Sequence, residues 1–450
     1  MEERVNMARL FGTDGVRGIA ITELTCELAM NIGKALGTTL GKGTVLVGKD
    51  TRRSSDILEA ALVAGIAASG VNVQLIGIVP TPAVAFLIRK YNADAGVMIT
   101  ASHNSAEFNG IKLFNGEGLK FPDECEDKIE ELVMNPDKIA LFSGGDVGTI
   151  TTNADAVEEY KAELIGLISE KATANTETKI LIDCANGSAV ACAGEVFANF
   201  NAVTINNSPN GVNINDKCGS TYIENLGRRV VAEKYDMGIA FDGDADRMLA
   251  VDGKGNLVDG DKIIALLAVY MKEKGELVDD TVVVTVMSNL GFHQYMRNNG
   301  IKTAVVSVGD RYVLEKMLED NFCVGGEQSG HIIFKKYATT GDGILSAIQL
   351  LNMLGDKGKK LDELAAEIPT FPQTLKNITI AADKKGKWET NPAITKVIDE
   401  IKLIAGSESR ILIRESGTEP LLRVMIEGKV QSEIEEWADR ICETAKRELG

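Results

Sequence analysis

The sequence predicts an α/β protein made of three tandem α/β domains with mixed, largely parallel sheets, followed by a small C-terminal α+β domain. Strand-like and helix-like stretches alternate along the first 370 or so residues, as in βαβ units. Beyond Pro372 a shorter order of strands and helices predicts a separate α+β unit. The chain has 450 residues, which is also too long for a single hydrophobic core.

The elements repeat in three blocks before the C-terminal unit. The first block is predicted to have strands at 44–47, 72–79 and 95–100 and helices at about 54–68 and 81–90. Strands at 179–183, 202–205 and 237–241 form the second block, and strands at 282–286 and 304–308, each followed by a helix, form the third. The C-terminal unit has predicted strands at 375–380, 411–413 and 421–426, with helices from about 393 and 432.

Three segments suggest where the domains meet. A linker is predicted at 143–153, a tight turn at 252–255 and a proline-containing connection at 368–372. The resulting domains are residues 1–152, 153–254, 255–369 and 370–450.

Composition excludes several functional classes. The chain has 65 acidic and 48 basic residues, a formal net charge of −17, so we expect no nucleic-acid partner and no anionic-membrane surface. The seven cysteines are scattered without a C-x-x-C pair, which fits neither a zinc site nor a secreted disulfide framework. No apolar run approaches the roughly 20 residues of a membrane span, and no apolar leader is present. We therefore predict a cytoplasmic protein.

A candidate nucleophile lies at the end of the buried strand near residue 99. The apolar run Val97–Ile99 gives way to Thr100-Ala-Ser-His-Asn104, and Asn109-Gly-Ile-Lys112 closes the segment. Serine is a weak nucleophile that needs a base or a metal. His103 is adjacent to Ser102, but neighbouring side chains generally point apart, and no G-x-S-x-G elbow surrounds the pair. A hydrolase triad is therefore not predicted.

A second motif, Asp242-Gly-Asp-Ala-Asp-Arg247, follows an apolar strand and favours a hard divalent cation. An EF-hand loop also begins D-x-D-x-D, but its sixth and twelfth positions should be Gly and Glu, and here they are Arg247 and Gly253. A solvated acidic turn is the other alternative. Three aspartates would leave room for an oxygen of the substrate or the nucleophile.

Two further loops offer groups for a sugar and for a phosphate. Gly325-Gly-Glu-Gln-Ser-Gly-His331 combines a carboxylate, an amide, a hydroxyl and an imidazole, which suit sugar hydroxyls, although a polar turn would look similar. Arg414-Glu-Ser-Gly-Thr-Glu-Pro420 with Arg423 suits a phosphate, although a structural turn with surface arginines is the alternative.

Two arginine-containing loops near the N-terminus complete the set. They contain Arg17 and Arg52, and either arginine could neutralise a phosphoryl group.

The serine loop at 100–104, the aspartate loop at 242–247, the sugar loop at 326–331 and the phosphate loop at 414–420 occur in this order across nearly the whole chain. Together they resemble the loops of the α-D-phosphohexomutase superfamily. The family usually has Pro and Asp where this chain has Ser105 and Phe108. Gln328, with Gly309-Asp-Arg-Tyr312 and Thr340-Gly-Asp-Gly343, is similar to the branch that acts on glucosamine phosphates. Phosphomannomutase or phosphoglucomutase specificity, a metal-dependent sugar phosphatase and a non-catalytic sugar-phosphate-binding protein are the alternatives.

The resemblance implies four domains around a central cleft and a phosphoryl transfer. The enzyme would interconvert glucosamine 6-phosphate and glucosamine 1-phosphate through a 1,6-bisphosphate, with Ser102 carried as phosphoserine. A 1,6-bisphosphate would also serve as primer, and the product would supply UDP-N-acetylglucosamine synthesis. It also implies one Mg²⁺ per chain and a homodimer. The implied site residues are Ser102, Asp242, Asp244 and Asp246 for the metal; Ser102, Arg17, Lys112 and His331 for catalysis, with Lys112 and His331 as general acid and base; Glu327, Ser329 and His331 for the sugar; Arg414, Ser416, Gly417, Thr418 and Arg423 for the phosphate; and His103, Asn104 and Arg247 in support.

Overall fold

The computed structural model describes residues 9–12, 14–174, 177–381, 384–406, 409–415 and 421–450. These residues form two compact units. One contains the described residues up to Met287 together with Ile301–Ala366, and the other contains Ser288–Gly300 and the described residues from Glu367 onward. The predicted α/β class, with mixed sheets and a C-terminal α+β part, is confirmed.

The first sheet is mixed and has the strand order β1-β5-β4-β2-β3-β6. The pairs β4–β2, β2–β3 and β3–β6 are parallel, and the pairs β1–β5 and β5–β4 are antiparallel. Its elements are β1 (Val16–Ile19), α1 (Cys26–Leu40), β2 (Thr44–Lys49), α2 (Arg53–Ala68), β3 (Asn72–Ile78), α3 (Thr81–Tyr91), β4 (Ala95–Ile99), β5 (Phe108–Asn115), α4 (Asp123–Met134) and β6 (Ile150–Thr152), with short 3₁₀ turns at Pro136–Lys138 and Gly144–Asp146.

Two features of this sheet differ from the sequence prediction. The segment 143–153 was expected to be a linker, but its residues Ile150–Thr152 pair with β3 as an edge strand. The strand Phe108–Asn115 was not predicted, and it returns antiparallel beside β4, so that the candidate nucleophile lies in a hairpin connection. Every residue of β4 is buried, as its apolar sequence predicts.

The second sheet has the order β11-β10-β9-β7-β8, with parallel pairing among β9, β7 and β8. The tight turn predicted at 252–255 joins β10 to β11, so the predicted domain limit after Lys254 falls inside this hairpin. The elements of this part of the chain are α5 (Ala156–Gly166), α6 (Glu170–Ala174), β7 (Ile180–Asp183), a 3₁₀ turn at Ser188–Ala191, α7 (Ala193–Val196), β8 (Ala202–Ile205), α8 (Ile223–Glu233), β9 (Met237–Phe241), β10 (Met248–Asp252) and β11 (Leu257–Val258), with a further 3₁₀ turn at Ser220–Tyr222.

The third sheet has the order β13-β12-β14-β15, in which β15 alone runs antiparallel to its neighbour. Its elements are α9 (Gly260–Glu273), β12 (Thr281–Thr285), α10 (Leu290–Asn298), β13 (Lys302–Val306), α11 (Asp310–Glu319), β14 (Val324–Gly326), β15 (Ile332–Phe334), α12 (Gly343–Lys357) and α13 (Leu361–Ala365), with a 3₁₀ turn at Val278–Asp280. Among them, α10 belongs to the second compact unit. The limits of the four domains stay a prediction.

The second unit is built on an antiparallel sheet with the order β16-β18-β17. A separate apolar core between this sheet and its helices includes Ile398, Val424 and Ile441. The elements are β16 (Gln373–Thr379), α14 (Pro392–Ala405), β17 (Arg410–Glu415), β18 (Leu421–Glu427) and α15 (Gln431–Leu449).

All seven cysteines are free thiols, in agreement with the prediction that they form no disulfide framework. Within the part of the chain that the structure describes, none of the helices has the length and apolar character that crossing a bilayer requires.

Candidate active site

Three of the four motifs found in the sequence share one structural setting, the connection of a β-hairpin. Residues 100–107 join β4 to β5, 242–247 join β9 to β10, and 327–331 join β14 to β15. Strand pairing fixes both ends of such a connection, which restrains the side chains that it carries. Residues 416–420 lie outside the described residues.

Ser102 is almost fully buried, with 1% of its surface exposed, and has a left-handed backbone with φ +50°. Its Oγ donates a hydrogen bond to Asp242 Oδ2 at 2.6 Å. The Nδ1 atom of His103 lies 3.4 Å from the same Oγ. Burial, followed by the charges of Arg247 and Arg17, lowers the pKa of His103 to about 4. The serine therefore faces a carboxylate of the acidic motif and a neutral imidazole.

The three aspartates of the acidic motif form one buried cluster. One oxygen from each of Asp242, Asp244 and Asp246 lies within 4.8 Å of the others. Burial, and then the charges of Asp246 and Asp244, raise the pKa of Asp242 well above its ordinary value. Among the described residues, the Oδ1 atoms of Asp244 and Asp246 have no hydrogen-bond partner. Unpartnered buried carboxylate oxygens at this spacing fit a hard divalent cation such as Mg²⁺.

Lys112 connects this cluster to the first sheet. Its side chain is 1% exposed, and Nζ lies 2.8 Å from Asp244 Oδ2, 3.3 Å from Asp246 Oδ2 and 3.1 Å from Asp14 Oδ2. Although burial opposes it, the charges of these three carboxylates raise the pKa of Lys112 well above its ordinary value. Asp14 in turn pairs with Arg17 and, at 2.5 Å, with Lys120.

His331 is buried between carboxylates from two other parts of the chain. Its Nδ1 lies 3.6 Å from Asp246 Oδ2, and its Nε2 lies 3.5 Å from Asp310 Oδ2. The amide of Gly341 donates to Nε2 at 3.0 Å. Burial opposes the charged form, but the carboxylate of Asp246 outweighs it, so the pKa of His331 is raised. Both ring nitrogens thus contact protein groups.

A cavity of about 490 Å³ opens beside these residues. Three arginines, Arg9, Arg17 and Arg247, line it together with His331 and Glu327. Such a volume is in the range of small-molecule sites, and the guanidinium groups suit an anionic ligand.

Two side chains of the sugar motif are placed differently from one another. Glu327 lines the cavity, and its Oε1 accepts a hydrogen bond from the Gly309 amide at 3.2 Å. Ser329 does not line the cavity, and its Oγ is buried without a hydrogen-bond partner among the described residues. Gln328 donates to Asp259 Oδ2 at 3.1 Å, which ties the motif to the residue that caps α9.

The arginines of the phosphate motif lie in the second unit. Arg414 on β17 and Arg423 on β18 are directly paired across the antiparallel ladder. Burial, and then the charge of Arg423, lower the pKa of Arg414. Two guanidinium groups placed opposite each other on neighbouring strands can both contact one anion. Ser416, Gly417 and Thr418 lie outside the described residues.

Sequence reasoning did not select several groups that the structure brings to the site. Asp14 lay in the N-terminal loop that was noticed for Arg17, and Asp310 lay in the motif Gly309–Tyr312. Lys120 and Arg9 lie in no recognisable motif. Each contacts a partner more than a hundred residues away, and local sequence does not indicate such contacts.

Comparison with known domains shows matches along most of the chain. The phosphoglucomutase/phosphomannomutase α/β/α domains I, II and III match residues 8–140, 158–255 and 259–371, and the C-terminal domain of the same family matches residues 375–444.

Full-length relatives match over nearly the whole chain. A phosphoglucosamine mutase of Caldicellulosiruptor saccharolyticus is 48% identical over 456 residues, covering 99% of this chain and 100% of the relative. One from Clostridioides difficile is 48% identical over 451 residues, with the same coverage. A phosphoglucomutase/phosphomannomutase family protein of Burkholderia thailandensis has a similar fold, with a TM-score of 0.79, 22% identity and 98% of each chain covered. Aspergillus fumigatus N-acetylphosphoglucosamine mutase, solved with GlcNAc-6P and magnesium, has a TM-score of 0.69 at 19% identity, covering 98% of this chain and 96% of that one.

Proposed function

The chain belongs to the phosphoglucomutase/phosphomannomutase family, and we propose that it acts as a phosphoglucosamine mutase, an isomerase that interconverts glucosamine 6-phosphate and glucosamine 1-phosphate. Full-length relatives at 48% identity that are named for this activity support the substrate. The observation that carries the chemistry is the contact between Ser102 Oγ and the buried aspartate cluster.

The proposed reaction has two phosphoryl transfers. Phosphoserine 102 gives its phosphoryl group to the 1-hydroxyl of glucosamine 6-phosphate, which loses its proton, and the 1,6-bisphosphate forms. The bisphosphate then reverses its orientation in the site. Its 6-phosphoryl group passes to Ser102 Oγ, and the sugar O6 takes up a proton. A hexosamine or hexose 1,6-bisphosphate would prime a chain whose serine is unphosphorylated.

Charge supports this assignment of Ser102. A phosphoserine carries about −1.5 to −2 charges, which require cations close by. Arg17 and Arg247 line the adjacent cavity, and Asp242, Asp244 and Asp246 with Ser102 would hold one Mg²⁺. When bound, Mg²⁺ offsets charge on the transferred group.

The remaining site residues are assigned by their positions. Glu327 on the cavity wall would bind sugar hydroxyls, as would Ser329, two residues further along, whose Oγ is buried. Arg414 and Arg423, with Ser416, Gly417 and Thr418, would hold the phosphate that is not transferred. Lys112 and His331 stay the candidates for general acid and base, and both contact Asp246.

A direct test compares Ser102→Ala with wild type and with Ser432→Ala, a matched change at an exposed serine of α15. We expect Ser102→Ala alone to lose mutase activity and to remain without the added mass of one phosphoryl group after incubation with a 1,6-bisphosphate. Mutase activity of Ser102→Ala near the wild-type level would refute the phosphoserine scheme. Release of inorganic phosphate without isomerisation would indicate a phosphatase instead.

Substrate preference needs a separate measurement, because glucosamine, glucose and mannose phosphates differ by few contacts. Initial rates on the three hexose 6-phosphates, each with a 1,6-bisphosphate primer, should be highest for glucosamine. An equal or higher rate on glucose or mannose phosphate would contradict the proposed specificity.

Cytoplasmic location and a homodimer complete the proposal. The seven free cysteines support a reducing compartment. Light scattering of the purified protein would give the oligomeric state, and a monomeric mass would contradict the dimer.

A further inference from the structure

The backbone of the nucleophile loop is held by hydrogen bonds to its carbonyl oxygens. Ser102 and Asn104 each offer a carbonyl that accepts from two side chains, Arg52 and Asn215. The residues of this loop, 100–107, connect β4 to β5. Because Ser102 has a φ of +50°, which L-residues rarely adopt, its conformation has to be imposed by its surroundings.

Arg52 supplies most of these contacts. Its Nη2 donates to Ser102 O at 3.0 Å and to Asn104 O at 2.8 Å, and its Nη1 donates to Phe108 O at 3.0 Å and also to Ser105 O. The planar guanidinium presents several donors in a fixed geometry, so one side chain can fix four carbonyls at once. Two of them belong to Ser105 and Phe108, the positions at which this chain departs from the usual family sequence.

The guanidinium itself has no freedom to reach a ligand. Its side chain has 0% exposure, and Nε donates to Asp50 Oδ2 at 2.9 Å. The other oxygen of Asp50 accepts from the Arg52 amide and from Ser55 Oγ, both at 3.0 Å. The sequence-based suggestion that Arg52 neutralises a phosphoryl group is therefore replaced by a role within the loop.

Asn215 reaches the same loop from a different part of the chain. Its Nδ2 donates to Ser102 O and to Asn104 O, each at 2.9 Å, across more than a hundred residues of sequence. Its own backbone is left-handed, with φ +57°, and its amide donates to Ala185 O at 2.9 Å. Asn215 thus fixes the nucleophile loop against the segment that follows β7.

We propose that Arg52 and Asn215 are positioning residues that hold the Ser102 backbone in its left-handed conformation, so that Oγ is directed at the aspartate cluster. This rests on the proposed function, because it assigns the two side chains an effect on phosphoryl transfer. Neither side chain touches the reacting atoms, and neither lines the cavity. Their loss slows the transfer to and from Ser102 while leaving the binding of the phosphosugar in place.

The test uses Asn215→Gly, because glycine accepts the left-handed backbone and removes only the side-chain donor. Asn321→Gly is the matched control, since Asn321 also has a left-handed backbone, with φ +61°, and is exposed away from the site. Arg52→Lys, which keeps the charge but loses the fork of donors, is the second variant. The Tm of each protein is measured first. The kcat, the KM and the rate of Ser102 phosphorylation by a 1,6-bisphosphate are then measured at a temperature where all the proteins are folded.

For Asn215→Gly and Arg52→Lys we expect kcat and the phosphorylation rate to fall together by about 10- to 100-fold, with KM within about two-fold of wild type. Asn321→Gly should match wild type. If Asn215→Gly and Arg52→Lys keep wild-type kcat, or if KM rises while kcat is unchanged, the positioning role is wrong. If wild type and Asn321→Gly themselves have no mutase activity, the proposed function fails instead.

Discussion

Replacement of Gly243 by alanine should separate two loops that the active site needs in contact. Gly243 lies between Asp242 and Asp244 in the acidic motif. A Cβ built on it would lie 2.4 Å from the carbonyl oxygen of Ser102, 2.8 Å from Asn215 Nδ2 and 2.9 Å from Ile214 Cδ1. The first of these is a backbone atom, so it cannot move aside by a change of rotamer.

The size of the effect follows from these distances. Ordinary contact begins at about 3.4 Å, so the Ser102 carbonyl and the alanine methyl have to move apart by 3.4 − 2.4 = 1.0 Å. The hydrogen bond from Ser102 Oγ to Asp242 is only 2.6 Å long and joins the same two loops. A misplacement of about 1 Å can cost on the order of 100-fold in rate, and overpacking of a buried contact costs about 1–3 kcal/mol of stability.

The assay is coupled measurement of glucosamine 1-phosphate formation at saturating substrate, with urea unfolding as a measure of stability. Gly166→Ala at the end of α5 is the control, because a Cβ there meets no atom within 4 Å. We expect Gly243→Ala to lose about 100-fold in kcat and Gly166→Ala to keep wild-type kcat. A Gly243→Ala protein with kcat near wild type would show that contact between the loops does not limit catalysis.

Two further predictions concern buried carboxylates. In EDTA, Asp242→Asn should be at least as stable as wild type, because the substitution relieves repulsion in the aspartate cluster. Added Mg²⁺ should raise the Tm of wild type but not that of Asp242→Asn. A Tm of Asp242→Asn below that of wild type in EDTA would contradict this. Burial raises the pKa of Glu126 from 4.5 to about 7. Between these pH values the folded state keeps the Glu126 carboxyl protonated while the unfolded state has lost that proton, so the free energy of unfolding falls as pH rises through this interval. Glu126→Gln should therefore raise the free energy of unfolding above pH 7 by up to about 3 kcal/mol and give no gain below pH 4.5, as pH-dependent urea titrations would show.

The sequence predicted the strands that lead into the motifs better than the strands that leave them. The strand at 237–241 was predicted with the bounds that the structure has, because its residues are uniformly apolar. The strand Phe108–Asn115 was missed, since it contains Asn109, Gly110 and Lys112, which are unusual in a strand interior. Two of these make polar contacts with other elements: Asn109 donates to Ser54 and Ser55, and Lys112 binds the aspartates of the site.

The types of side chain could be read from spacing, but their pairing could not. The sequence offered both Arg17 and Arg52 as groups that could neutralise a phosphoryl group, and it favoured Arg17, although each lies in a short loop rich in small and polar residues. In the structure Arg17 lines the cavity, whereas Arg52 is buried on carbonyl oxygens of the nucleophile loop. Which of two arginines faces a ligand depends on contacts across 50 or more residues, and local sequence does not encode them.

Charge balance gives an independent reason for a divalent cation at Ser102. The partly buried network around the serine has five carboxylates and four lysine or arginine cations among the described residues, a balance of −1 if all of these are ionised and His331 is neutral. Burial, together with the charges of Asp246 and Asp244, raises the pKa of Asp242 in this network. A phosphoserine would add about −1.5 to −2 more charges, and burying such an excess is costly. A bound Mg²⁺ would return the total to within about one charge of zero, which favours a metal at this site when Ser102 is phosphorylated. The network consists of Asp14, Asp242, Asp244, Asp246 and Asp310 with Arg17, Lys112, Lys120 and Arg247.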